Sequence, residues 1–373
     1  MPRIKVSLVL VLLALVAVAA LVFARRPSSR GYQAHIQRVE DFSRVRHIDR
    51  IFPSMFGPTD DYDVVLAEGG RTEVLWITSA RVDIVDREGT SELSPEYLCH
   101  SHLKFEPNTF DKDRRNAVFA NTANQNLKLF TLIQGQEEIR LPEGFGIPVL
   151  SNEPLVFHSM VINNNEITEP VDVKVKTVFE FVRESDARGA VRPLFRTGAA
   201  MQVPVDQSEG EPEHGGECST LPEQEAHLAA NAKPVTAIST HEKGFLQSGH
   251  WLVPPGRHEY RYEIEGGIPV PFDTTAHYIA VHLHAYGESL ELRDLTTDET
   301  LFLSRAENYG DRIGVADLEF YSNAEGIPIH EDHDYELVAI YNNTTDEPID
   351  AMAIIYMYLH DKNFDISQAR LEG

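Results

Sequence analysis

Apolar and polar residues alternate with a period of two along much of the chain. The clearest case is 171–179. Val171, Val173, Val175, Thr177 and Phe179 stand on one side, and Asp172, Lys174, Lys176 and Val178 on the other. Successive side chains of a strand point to opposite faces, so this spacing predicts a strand with one face buried. TEVLWITSARVDIVD, LKLFTLI and LVFHSMVI before it, and SLELRDL, ETLFLS, YELVAIYNN and DAMAIIYMYLH after it, are of the same kind. Turn signals such as LPEGFG (141–146), INNNEITEP and VPPG (253–256) separate them. No long amphipathic helix is predicted after the N-terminus. Many short strands in two halves predict an all-β chain of two antiparallel sandwiches, over 48–203 and 241–362.

The text between and around these halves differs. Residues 204–240 are acidic and rich in Gly and Pro, and predict a solvated insertion. Its His214, His227 and Cys218 are metal-competent, but a surface loop is the simpler expectation. Residues 27–47 are polar and Arg-rich, and predict a linker; 363–373 predict a tail. At the start, Arg3 and Lys5 precede a nearly unbroken apolar run from Val6 to Ala24, and Arg25–Arg26 follow. That length suits a membrane span, so 1–26 predict an uncleaved signal anchor with the rest exported, periplasmic or extracellular.

Composition narrows the partners. The 373 residues carry 58 acidic and 33 basic side chains, a net charge of −25. Such a surface disfavours nucleic acid. The two cysteines, Cys99 and Cys218, form no metal-finger spacing; in an oxidising compartment a disulfide between them is one possible outcome.

The candidate chemistry lies on strands. In AVHLHAY (280–286), Tyr278, Ala280, His282, His284 and Tyr286 share a face, and Ile279, Val281, Leu283 and Ala285 share the other. The second face predicts a core; the first predicts a cleft. Two imidazoles on one face suit one metal ion. A histidine pair alone is weak evidence, since a hydrogen-bonded surface pair looks the same. YLCHSHLKF supplies a second pair, His100 and His102, with Cys99 expected on the opposite face. His158 lies on a strand with Met160 on its side, and Met352 shares a face with Ile354, Tyr356 and Tyr358. A thioether is a soft donor that selects copper(I), although a lone buried methionine is usually packing.

The ordered set of motifs resembles the catalytic core of the copper type II, ascorbate-dependent monooxygenases, the family of the peptidylglycine and dopamine hydroxylases. LVPPG (252–256), VHLHAYG (281–287) and DAMAIIYMYL (350–359) match its second half; HSHLKF, LPEGFG and His158 match its first. The likeness spans roughly 90–362. It implies two jelly-roll-like domains and two copper ions per chain across a solvent-filled cleft. His282, His284 and Met352 would hold the catalytic ion, and His100, His102 and His158 the electron-transfer ion. Tyr356 would line the substrate site. The implied reaction is C–H hydroxylation of a small organic substrate with dioxygen and a reductant such as ascorbate.

Three departures qualify the likeness. The family's adjacent histidines are here spaced as HSH, and its disulfide framework is missing. The Arg and Asn that hold a peptide carboxylate are replaced by Ala280 and Ile354. A carboxylate buried without its cation is poorly held, so a peptidylglycine substrate is not expected. A membrane-anchored copper carrier of the same fold, without hydroxylation, fits the same residues.

Overall fold

The computed structural model describes residues 35–52, 54, 56–67, 72–107, 127–167, 169–204, 238–240 and 246–366. The predicted anchor, Cys218, and most of the predicted insertion lie outside these residues. Among the described residues no helix is long and apolar enough to cross a membrane.

The chain is nearly all β, in several sheets. The first half contains β1 (Gln37–Phe42), β2 (Arg46–Ile48), β3 (Thr59–Val64), β4 (Val74–Asp86), β5 (Leu98–Phe105) and β6 (Lys128–Ile133). It continues through β7 (Glu138–Arg140), β8 (Phe145–Leu150), β9 (Leu155–Val161), β10 (Val171–Arg183) and β11 (Arg192–Ala200). Three short strands follow: β12 (Val203–Pro204), β13 (Ile238–Thr240) and β14 (Leu246–Ser248). The second half contains β15 (Trp251–Val253), β16 (Gly256–Glu263), β17 (Thr274–Leu283), β18 (Gly287–Asp294) and β19 (Glu299–Asn308). It ends with β20 (Val315–Leu318), β21 (Tyr321–Ile329), β22 (Tyr335–Asn343), β23 (Ile349–Ala351) and β24 (Ala353–His360). Gln37–Phe42, predicted as linker, is instead an edge strand paired with β10, its residues alternating between half-buried and exposed.

Two hydrophobic cores organise these strands. The first lies between β4, β8 and β10 and the sheet β3-β9-β5-β6; Phe157 of β9 meets Phe179 of β10 edge-on at 5.7 Å. The second lies between β17 and β24 and the sheet β16-β22-β18-β19-β20. The alternation seen at 171–179 has its expected effect: Val173, Val175 and Phe179 enter the first core while Lys174 and Lys176 stay outside it.

The halves are not joined by a linker alone. β11 pairs with β8 in parallel and with β24 antiparallel, so one long sheet, β1-β10-β4-β8-β11-β24-β17-β21, runs through both. Leu194 of β11 belongs to the first core, and Phe195 and Ala199 to the second. β11 thus gives its even face to the first core and its odd face to the second.

Candidate metal centre

The odd residues of β17, Ile279, Val281 and Leu283, pack in the second core as predicted. The even face differs from the prediction. Tyr278 and Ala280, with Met352, Ile354, Tyr356 and Tyr358 of the β24 side, belong to the first core. Ala280 and Ile354 are 1% exposed and Tyr356 is 4% exposed. The predicted cleft face is a packed interface between the halves. The cause is the character of the side chains: aromatic and aliphatic surface on both sides gains from leaving water. Phe130 meets Tyr358 at 5.7 Å, and Gln136 Nε2 donates to the Tyr278 hydroxyl at 3.0 Å.

His282 lies in this interface, 5% exposed, with neither ring nitrogen hydrogen-bonded. β17 ends at Leu283, so His284 opens the following turn, where Tyr286 takes a φ of +70°. His284 Nδ1 lies 2.9 Å from Asp350 Oδ2, and its Nε2 lies 3.4 Å from Ser54 Oγ of the first half. Leu283 pairs with Ala353, so continuing the ladder by one residue sets His284 opposite Met352. One hydroxyl ties the two: Tyr341 accepts from the His284 N–H at 3.1 Å and donates to the Met352 carbonyl at 2.6 Å.

The first-half histidines gather on the outer face of β5 and β9. The ring centroids are 4.8 Å apart for His100–His102, 5.8 Å for His100–His158 and 6.0 Å for His102–His158. His102 pairs directly with His158 across the ladder. Carboxylate and hydroxyl partners orient two of the rings. His158 Nδ1 lies 3.1 Å from Asp61 Oδ1, and His102 Nδ1 lies 3.0 Å from Thr131 Oγ1. The Nε2 of His102 is buried without a hydrogen-bond partner.

Cys99 departs from the predicted alternation. The β5–β9 register shifts between Leu98 and His100, a bulge that inserts one residue. Leu98 and Leu103 face the first core, while Cys99 packs with Met160 and Ile162 on the histidine side. Its Sγ lies 3.3 Å from His100 Nδ1.

The two sets face each other across the interface. Burial, and then neighbouring His158, Lys128, His282 and His284, hold the His100 imidazole well below the ordinary range. Burial, then Lys128, His100, His158 and Arg196, does the same for His102; burial, then His284 and His250, does so for His282. Arg196 of β11 is part of the seam: its guanidinium stands 4.6 Å from the Tyr356 ring centroid and donates to Thr131 Oγ1 at 2.9 Å.

Two further groups were not predicted. His250 precedes β15, and its Nδ1 lies 3.3 Å from Asp350 Oδ1. The β15–β23 ladder, Trp251 opposite Ala351 and Leu252 opposite Asp350, brings them together. Among the described residues, His250, His284 and Asp350 are the one set of three His, Cys, Asp or Glu side chains whose ligand atoms all lie within 4.8 Å of one another. His100, His102 and His158 stand further apart than that. The Asp350 carboxyl is held far below its usual value: burial opposes this, but His284 and His250 outweigh it. In the sequence, His250 and Asp350 are a hundred residues apart and share no motif; their joint signal is only that each flanks a strand of the predicted site.

No family model matches the chain, and no curated protein matches it in sequence. Among solved structures, the chain is similar to the STIV MCP at 7% identity and a TM-score of 0.31, over 87% of this chain and 98% of that one. It is similar to PBCV-1 VP54, as fitted into a cryo-EM reconstruction of the virophage Sputnik, at 9% identity and a TM-score of 0.26, over 88% and 96%. Scores at this level carry no argument about function.

Proposed function

We propose that the chain is an exported, membrane-anchored copper protein of the type its motifs resemble, with two jelly-roll-like halves, hydroxylating a C–H bond of a small organic substrate. The observation that carries the metal reading is His282. It is a buried imidazole with no hydrogen bond at either nitrogen, two residues from His284, with Met352 across from His284. A buried polar group left without a partner costs about 1–3 kcal/mol, and a metal ion on one nitrogen offsets that. The donor set of two imidazoles and one thioether suits copper.

In this reading His282, His284 and Met352 hold one copper ion, and His100, His102 and His158 hold the other. Bound there, copper supplies one-electron redox chemistry and dioxygen activation, with ascorbate or a similar donor as reductant. The chain's own residues orient the donors. A His284 Nδ1–H donated to Asp350 leaves the Nε2 lone pair for the ion; Asp61 does the same for His158. Tyr341 fixes the backbone of His284 against that of Met352. Tyr356 is the candidate for contact with substrate.

A second reading is favoured by one specific observation. Ala280, Ile354 and Tyr356, the proposed substrate-facing side chains, are packed against the first half. A copper-binding or copper-delivering protein without hydroxylase activity requires no opening there. The two readings separate in one experiment on the full chain: load it with copper, count bound ions, and follow ascorbate-driven oxygen uptake with candidate substrates. Two ions with substrate-dependent uptake support the hydroxylase. Two ions without uptake support the carrier. Fewer than one ion per chain overturns both. Met352→Ala is expected to weaken copper(I) binding at one site only, and unchanged binding would remove Met352 from the ligands.

A further inference from the structure

The geometry points to His250, His284 and Asp350 as a binding site for a divalent transition-metal ion, distinct in two of its three donors from the His282–His284–Met352 set. The proposal shares His284 with the copper reading and stands without it.

Three elements of the second half converge here: the residue before β15, the turn after β17, and β23. Their backbones are fixed. The β15–β23 ladder sets His250 near Asp350, and the Tyr341 hydroxyl holds the His284 N–H. The Ser248 hydroxyl accepts from the His250 N–H at 3.1 Å. One ligand atom from each of the three side chains lies within 4.8 Å of the other two, close enough for a small adjustment to bring them round one ion. Two ligands about 2.0–2.2 Å from one tetrahedral centre are about 3.4 Å from each other. Asp350 Oδ2 lies 2.9 Å from His284 Nδ1, and Asp350 Oδ1 lies 3.3 Å from His250 Nδ1. The site is sheltered: His250 is 5% exposed and the side chains of His284 and Asp350 are 12% and 25% exposed.

The donor chemistry differs from that of the thioether set. Two imidazoles and a carboxylate are borderline and hard ligands, which suit zinc or another divalent first-row ion over copper(I). Each neutral imidazole binds through Nδ1 once its proton sits on Nε2. For His284 that Nε2–H has an acceptor in place, Ser54 Oγ at 3.4 Å. The divalent ion and the carboxylate leave a net charge of one positive unit, with no proton released from neutral imidazoles. His284 serves this site through Nδ1 with its proton on Nε2, and the copper reading through Nε2 with its proton on Nδ1, so a neutral His284 holds one ion or the other.

The test uses zinc as the probe. The metal-free full chain is titrated against a chromophoric chelator, alongside His250→Gln, Asp350→Asn and Met352→Leu. Wild type and Met352→Leu are expected to bind zinc alike, while the other two lose one zinc equivalent or bind it at least about 100-fold more weakly. Undiminished zinc binding in both His250→Gln and Asp350→Asn overturns the site. Copper(I) titration of the same proteins reads the other set: His250→Gln keeping wild-type copper(I) affinity shows that it is folded, Met352→Leu is expected to weaken that affinity by loss of a ligand, and Asp350→Asn by loss of the carboxylate that orients His284. X-ray absorption of the zinc-loaded wild type needs no variant. A shell of nitrogen and oxygen at about 2.0–2.2 Å supports the site, and a sulfur neighbour at about 2.3 Å overturns it.

Discussion

The Tyr341 hydroxyl donates to the Met352 carbonyl oxygen at 2.6 Å. Tyr341 is fully buried, and its hydroxyl oxygen accepts from the His284 N–H. A single side chain of β22 therefore sets the distance between the turn after β17 and the residue before β24. Tyr341→Phe removes the hydroxyl and leaves the His284 N–H, the Met352 carbonyl and the Met352 N–H each short of a partner. The expected loss of stability is about 1–3 kcal/mol, read by urea denaturation. Copper(I) binding through Met352 is expected to weaken in the same variant. An unchanged urea midpoint with unchanged copper(I) affinity would show that this hydroxyl positions neither residue.

Acid is expected to destabilise the metal-free protein well above the range where carboxylates titrate. His100, His102 and His282 are held below the ordinary imidazole value, chiefly by burial. In the unfolded chain they titrate near 6.5. Below about pH 6.5 the unfolded chain thus binds more protons than the folded one, so stability falls as pH falls. Each histidine contributes a slope of up to about 1.4 kcal/mol per pH unit. Asp61 and Asp350, whose values are also depressed, add their losses only near and below the carboxylate value of about 4. Urea midpoints of the metal-free chain at pH 7.5 and 5.5 check this; equal midpoints would mean that the three imidazoles are solvated.

How much of this was legible in sequence depends on the range of the signal. Alternation along β17 placed Ile279, Val281 and Leu283 in a core and the histidines on the other face, because a strand's period is local. Cys99 was misplaced because a bulge adds one residue, and no residue near Leu98 announces it. The cleft was misread for another reason. Tyr278, Ala280 and Ile354 look alike whether they line a groove or meet Phe130 and its neighbours, and only the partner strand decides. His250 and Asp350 were missed because a ladder between distant segments brings them together. The shared sheet through β11 escaped for the same reason: RPLFRTGAA is buried on both sides, which erases alternation.

Asp61 offers a test confined to the first half. It contacts His158 Nδ1, and that contact is the largest cause lowering the Asp61 carboxyl below its usual value. Asp61→Ala frees the His158 ring to turn. Loss of such an orienting carboxylate typically lowers metal affinity about 10–100-fold. The expected result is that drop at the first set, measured by copper(I) competition in a Met352→Ala background, where the other set no longer competes. An unchanged affinity there would remove His158 from the ligands of the first set.

Gly198 lies at the seam of the two halves, opposite Tyr356 in the β11–β24 ladder. A Cβ built on Gly198 would stand 2.3 Å from the Ile355 carbonyl oxygen, a backbone atom that no rotamer change relieves. Gly198→Ala therefore forces β11 away from β24. Overpacking of this kind costs about 1–3 kcal/mol. The strain falls on the strand that carries Arg196 and on the one that carries Tyr356, so the effect is expected to reach the interface histidines as well. Urea denaturation is expected to give a lower midpoint, and hydrogen exchange to give faster exchange in both β11 and β24. Wild-type stability in Gly198→Ala would mean that the two strands separate at this point without cost, and that the long sheet does not hold the halves together.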